Sequence, residues 1–444
     1  MANTLKIESH IKRLQAQDFE QQPPGTILQD FETLINSIDT KGMELTKKSC
    51  FFRVKFLVAL NSKLSRPFKP NSSKSPQKFY PYINGLYLLL RTSGLVVLDT
   101  LKHPTLHFEP EVYAAWRSLN ATERYFGLLK AWWTRGDSKM ISTRDDYFAN
   151  NILGSIIYLL NKFNKNGIMT LNTAYDAYNF QADIGLYNLA LLELFGILDI
   201  QIETFIKYEK GLFPKLVQIT DWGQAILKSY HAVILKDINS LSEENYSIPE
   251  ADPSSDPYLV LDYSRMKDMN AEETFDLWSK TVRSHIPAWS NDLKLPEISF
   301  QPGPHIFKVS LGSCWRRIAI KGKAFMQELA SIILESVDFE SDHLYSFTFQ
   351  DRFGRYTEVC HPYDDSSDLV VDEFRVGDIP LQVGMRIHLL FDYGANWEFN
   401  ILVERVNAID ISIKKSQILE KHGTAPSQYG DDEDEYDEDD DMEL

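Results

Sequence analysis

Cysteine is scarce in this chain. Cys50, Cys314 and Cys360 are spread over 444 positions, and none lies in a C-x-x-C pair. That excludes a disulfide-built scaffold and a cysteine-rich zinc site, and it suits a reducing compartment. An apolar signal segment is missing too: the first twenty residues are polar and mixed in charge, without the h-region of a secretory leader. No uninterrupted apolar run reaches the roughly 20 residues that cross a bilayer. The expected setting is the cytoplasm, with no membrane partner. There is no H-E-x-x-H, no Walker-type loop and no G-x-S-x-G. His103 and His107 have the spacing of two ligands on a helix face, but Pro104 follows His103 directly and disfavours helix there. The expectation is no metal and no cofactor.

Acid is what one long window lacks. Residues 46–98 hold ten Lys or Arg and no Asp or Glu, whereas 431–444 hold eleven acids and no Lys or Arg. The net charge of −17 becomes −6 once those eleven acids are set aside, so the average hides a polarised chain. Lys47, Lys48, Arg53, Lys55, Lys63, Arg66 and Lys69 lead the basic window, followed by Lys74, Lys78 and Arg91. Phe51, Phe52, Phe56, Phe68, Phe79 and Tyr80 are interleaved with them. Positive charge beside aromatic rings suits phosphate contact plus base stacking, so the predicted partner is nucleic acid or another acidic molecule. The plainer account makes the rings core and the lysines a solvated face. The acidic tail cannot repay its ordering entropy and is expected to be disordered, and to compete with polyanions for the basic block.

Periodicity organises the rest. Apolar residues recur at helical spacing over 27–39, and helices are expected over 49–64, 80–93, 108–118 and 145–163. The helix over 120–134 carries Asn120 and Glu123 in a capping-box pattern. A helix over 183–195, a strand at 198–203, a basic turn segment, a strand at 216–219 and a helix at 221–230 follow the layout of a winged helix. Residues 240–262 are acidic and rich in Pro and Ser, 271–285 look like an isolated helix, and 287–304 are Pro-rich. Beyond them a hairpin turning near Gly312, a helix with Phe325, Leu329, Ile332, Ile333 and Val337 on one face, and strands at 345–349, 387–391 and 397–403 read as an α+β layout. In that layout a β-grasp-like mixed sheet packs on one helix. The chain divides into an N-terminal helical segment (1–45), a mostly helical region with the basic block and the winged-helix-like unit (46–239), a linker with one helix (240–304), an α+β domain (305–418) and the acidic tail (419–444).

Four short motifs recur in order through the last part: Trp315-Arg316-Arg317-Ile318, Asp342-His343-Leu344-Tyr345-Ser346-Phe347, Val383-Gly384-Met385-Arg386-Ile387 running into Phe391-Asp392-Tyr393-Gly394 and Trp397-Glu398, and His422-Gly423-Thr424-Ala425-Pro426-Ser427-Gln428-Tyr429. In order and spacing this part resembles the plasmid pRiA4b ORF-3-like family, also described as transposon-passenger, resolvase-like proteins. The resemblance covers roughly the last 125 residues and implies an origin in a mobile element but no settled activity. A resolvase would need an activated serine in an arginine-rich setting, and no such constellation is present. Where the family pattern carries an acid and a His, this chain has Ala395 and Phe399.

Trp315, Arg316, Arg317, His343, Asp392 and Trp397 are the candidate ligand-binding residues. Adjacent guanidiniums offer bidentate donors to an anion. Neighbours on a strand point to opposite faces, however, so ion pairing with nearby acids is the plainer role. His343 and Asp392 have the chemistry to orient a general base or hold a metal. Equally, His343 can cap the sheet and Asp392 open a turn. The reading that follows is a non-enzymatic nucleic-acid-binding or regulatory protein. The alternatives are a protein-interaction adaptor, working through the open face or edge of its sheet, and an enzyme using His343 and Asp392. The oligomeric state stays open.

Overall fold

The computed structural model describes residues 12–141 (71, 73, 101 and 102 excepted), 162–163, 166–202, 214–241, 270–408 (298, 365 and 368 excepted) and 413–429. The helix expected over 145–163 falls almost wholly outside them, and so does the acidic tail. The chain separates into two compact units, Met1–Pro296 with Arg352–Arg355, and Glu297–Asp351 with Tyr356–Leu444.

The first unit is mostly helical. Its helices are α1 (Ile27–Ser37), α2 (Val54–Asn61), α3 (Pro81–Thr92), α4 (Pro110–Ser118), α5 (Ala121–Arg135), α6 (Ala174–Ile184), α7 (Leu186–Leu194), α8 (Asp221–Leu241) and α9 (Ala271–Arg283). Every residue of α3 is buried. A helix hydrophobic all round belongs in a core, and its polar residues are satisfied inside it: Gln77 Nε2 donates to Asn84 Oδ1 at 3.0 Å. Asn120 and Glu123 form the expected capping box on α5. The helix expected over 183–195 is α7, and α6 precedes it; Gly185, at φ 85°, separates the two.

Two small antiparallel sheets complete the unit. Strands β1 (Met43–Glu44), β2 (Val96–Asp99) and β3 (Thr105–Phe108) lie in the order β1-β3-β2, and β4 (Ile168–Thr170), β5 (Leu198–Ile202) and β6 (Pro214–Ile219) in the order β4-β6-β5. Helices α6 and α7 lie between β4 and β5 in the chain, and α8 follows β6.

Of the linker expected over 240–304, residues 242–269 lie outside the described residues; the isolated helix that follows needs correction. Phe275 and Trp278 of α9 are fully buried. Trp289 stacks on Phe126 at 3.9 Å, nearly parallel. Glu123 accepts from both the backbone N and the side-chain amide of Asn291. Residues 270–296 are therefore part of the first unit's core. Pro-rich composition mimicked a connector, and the three large rings at 275, 278 and 289 were the countersignal.

The second unit holds one sheet of seven strands: β7 (Pro304–Leu311), β8 (Cys314–Lys321), β9 (Tyr345–Gln350), β10 (Tyr356–Cys360), β11 (Arg386–Phe391), β12 (Trp397–Arg405) and β13 (Gln417–His422). Their order is β10-β9-β11-β12-β7-β8-β13. Helix α10 (Met326–Ser336) covers one face. The α+β class holds, but every strand pair is antiparallel, the central β7–β12 pair included, so the sheet is not mixed. Alternation sorts the faces: Phe399, Ile401 and Val403 are buried under α10, while Glu398 and Asn400 point to the opposite, open face. Gly312, at φ 55°, makes the two-residue turn between β7 and β8.

The boundary expected at 418 also moves. Residues 417–422 are the edge strand β13, paired with β8. Gln428 and Tyr429 bond to Glu340 and Asp342. No helix among the described residues is long and apolar enough to cross a membrane.

Candidate functional site

In an antiparallel sheet the end of one strand lies beside the start of the next. That rule brings the scattered motifs together. Phe391, at the end of β11, pairs with Tyr345 at the start of β9 and with Trp397 at the start of β12. Cys360, ending β10, pairs with Ser346, and His422, ending β13, pairs with Trp315 near the start of β8. Motifs more than a hundred residues apart in sequence thus converge on one end of the sheet.

The arginines are committed there to protein partners. Arg316 is 5 % exposed. Its Nε donates to Ser336 O at 2.8 Å, and its Nη1 lies within reach of the carbonyls of Trp315, His422 and Gly423. Arg317, on the opposite face, bonds Glu404 at 2.7 Å and also pairs with Glu420. The anion clamp gives way to two structural roles, one tying α10 and β13 to β8 and the other an ion-pair network. Trp315 stacks on His422 at 5.3 Å, with Lys308 Nζ 4.4 Å over its ring.

His343 lies 3.5 Å from Asp392 Oδ2 and 3.7 Å from Asp342 Oδ1, all through Nε2. Asp392 sits at φ 54°, a left-handed conformation that costs most side chains but that Asp tolerates. Its Oδ1 accepts from Gly394 N and Ala395 N, closing the turn between β11 and β12. Its Oδ2 is left to face His343. Asp342 accepts from Tyr429 O–H at 2.8 Å. That bond holds the Asp342 carboxyl below the usual range and pushes the Tyr429 hydroxyl up to about 12. A second pair repeats the device nearby: Tyr393 O–H donates to Asp364 at 2.5 Å, and Asp364 is lowered by it. Among the described residues no group of three or more His, Cys, Asp and Glu is arranged to hold a metal ion.

Periodicity could not reveal how the rings at this end line up. Tyr363–His361 (5.4 Å), His361–Tyr345 (5.1 Å), Tyr345–Phe391 (6.5 Å), Phe391–His343 (5.9 Å) and His343–Tyr429 (6.5 Å) make a continuous row. Trp397 stands behind it, edge-on to Phe339 at 5.0 Å, and its indole N–H is buried with no acceptor. Phe399, where the family pattern carries a His, is fully buried under α10 and takes no part.

The basic block of the first unit is only partly available. Arg53 pairs with Glu44 at 2.6 Å. Arg66 pairs with Glu193, a buried carboxyl that burial pushes up and that also accepts from Tyr82 O–H at 2.5 Å. Arg91 is buried and donates to the Tyr87 hydroxyl. Lys47, Lys48, Lys55, Lys63 and Lys69 are exposed, and none pairs with an acid among the described residues. The interleaved rings face inward. Phe51, Phe52 and Tyr80 are buried, and Phe56, Phe68 and Phe79 half-buried. The expected stacking platform is core instead: Phe51, Phe52 and Tyr80 join Leu57, Leu60 and Leu64 in the first unit's interior.

A family model described as "Plasmid pRiA4b ORF-3-like protein" matches residues 307–438. No curated protein matches the chain. Among solved structures, a protein of unknown function from Methanosarcina mazei Go1 is similar at 19 % identity. That alignment covers 29 % of this chain and 74 % of that one, with a TM-score of 0.26. The family match is thus confined to the C-terminal part of the chain.

Proposed function

We propose that this is a non-enzymatic cytoplasmic protein that holds nucleic acid by its phosphate backbone, through the lysines of the first unit. One observation carries the reading: Lys47, Lys48, Lys55, Lys63 and Lys69 are exposed without acid partners, while the rings between them face inward. Lysine charge without stacking rings favours contact with phosphates over contact with bases. We further assign residues 168–241 as a winged-helix unit. Support comes from two helices between the first and second strands, and from a sheet in which the third strand lies between the other two. Helix α7, the second of the pair, is almost wholly buried. It is not free to enter a groove, which again favours sequence-independent binding.

The test is a salt titration with single- and double-stranded DNA and RNA. Five phosphate contacts set an upper slope of roughly −4.5 in log affinity against log salt on duplex DNA. Reversing Lys47, Lys48, Lys55 and Lys63 to Glu should abolish binding. Unchanged affinity in that variant would refute the reading. The aromatic row of the second unit favours a second, compatible reading as an interaction module.

A further inference from the structure

We propose that the ring row of the second unit docks an extended Lys- or Arg-rich segment of a partner protein. The chemistry of this end of the sheet is one-sided. Residues 338–347, 360–366, 391–398 and 422–429 contain seven acids and no Lys or Arg. Within them Tyr363 is 84 %, Tyr429 57 % and Tyr393 40 % exposed, and His343 is half-buried between them. Ring faces attract cations, Arg most of all, and carboxylates beside the rings add a counter-charge to each. Asp342 and Asp364 are each held by a tyrosine hydroxyl, and Asp392 by two backbone N–H groups. All three acids are therefore fixed before a ligand arrives, which cuts the ordering cost of binding.

One buried polar group lies beside the row: the Trp397 indole N–H is without an acceptor. A peptide laid along the row brings carbonyl oxygens as well as cationic side chains, so it offers acceptors that a free metal ion or amine cannot. The row crosses the ends of β10, β9 and β11. Two strand spacings make about 10 Å, the length of roughly three extended residues. A nucleic acid is excluded here by charge: seven acids repel phosphate, and the eleven acids of 431–444 begin two residues beyond Tyr429. The inference is independent of the lysine reading, which concerns the other unit.

The probe is a fluorescent hexa-arginine peptide, followed by anisotropy with the full-length protein at low and physiological salt. Replacing Tyr363, Tyr393 and Tyr429 together by Ser leaves the charge of the protein, including its acidic tail, unchanged. Affinity should nevertheless fall by about tenfold or more, since three ring contacts are lost. Binding of nucleic acid should not move. Equal peptide affinity in the triple variant would mean attraction to acids alone and would overturn the proposal. Should the triple variant melt at a lower temperature, Tyr363→Ser decides: this ring is almost fully exposed and its loss leaves the fold intact. A drop of about threefold in its affinity supports docking, and no drop overturns it.

Discussion

A few side chains decide what the local sequence means. Arg316 and Arg317 are adjacent and chemically identical, yet strand alternation sends one into a nest of carbonyls and the other into an ion-pair network. Asp392 shows the same division within one carboxylate, with one oxygen closing a turn and the other facing His343. His305 gives a prediction at this scale. It is fully buried; its Nε2–H donates to Gln301 O at 3.0 Å, and its Nδ1 accepts from Asn407 N. The second bond requires the neutral ring, and burial lowers its pKa. The unfolded chain therefore takes up this proton at a higher pH than the native one. The contribution of His305 is fully present above about pH 6.5 and is lost as pH falls through the native value. The melting temperature should drop between pH 7 and pH 5, and the drop should be smaller in His305→Gln. Identical pH profiles would show that His305 is not the group responsible.

At the scale of the element, β13 matters more than its composition suggests. Its six residues present a single core position, Ile418, while Leu419 occupies a bulge and Glu420, Lys421 and His422 are exposed. Those are the features of a guarded sheet edge, where a bulge and charges discourage pairing with another chain. They make edge docking a weaker route for an adaptor than the end of the sheet. The strand nonetheless supplies one of the carbonyl contacts of Arg316, at His422, with Gly423 just beyond it supplying another, and it covers β8. A chain ending after Ile418 would leave the Arg316 cation short of partners and open the edge of β8. Stability should fall by about 2–4 kcal/mol, with a tendency to aggregate. A chain ending at Gly430 should unfold like the full-length protein. Equal urea midpoints for both truncations would show that β13 adds nothing.

For the whole molecule, charge is distributed more informatively than it is summed. The basic window lies in one unit and the acid-rich ring row in the other, with eleven further acids at the C-terminus. Long-range repulsion between those acids and a polyanion should weaken nucleic-acid binding most at low ionic strength, because salt shortens the reach of such forces to about 8 Å under physiological conditions. Deleting residues 431–444 should therefore tighten binding at low salt and change it little at high salt. If the deletion leaves low-salt affinity unaltered, the tail does not influence the lysine site.

Much of this protein was legible from local pattern. The capping box at Asn120 and Glu123, the β7–β8 hairpin and the buried positions Leu329, Ile332 and Ile333 of α10 depend on neighbours a few residues apart, and periodicity records such contacts directly; Phe325, expected on the same face, is instead exposed at the N-cap. So does the resemblance carried by the motifs between Trp315 and Tyr429. Contacts between distant residues decided the rest. The packing of Trp278 and Trp289 turned a Pro-rich stretch into core, and pairing with β8 made a strand of six mostly polar residues. The inward turn of Phe51, Phe52 and Tyr80 removed a stacking surface. The ring row from Tyr363 to Tyr429 exists only because antiparallel registry sets the ends of β10, β9 and β11 side by side. Strand order is a long-range property: each edge is chosen by total burial and backbone pairing across the sheet, and no local window of sequence contains that choice.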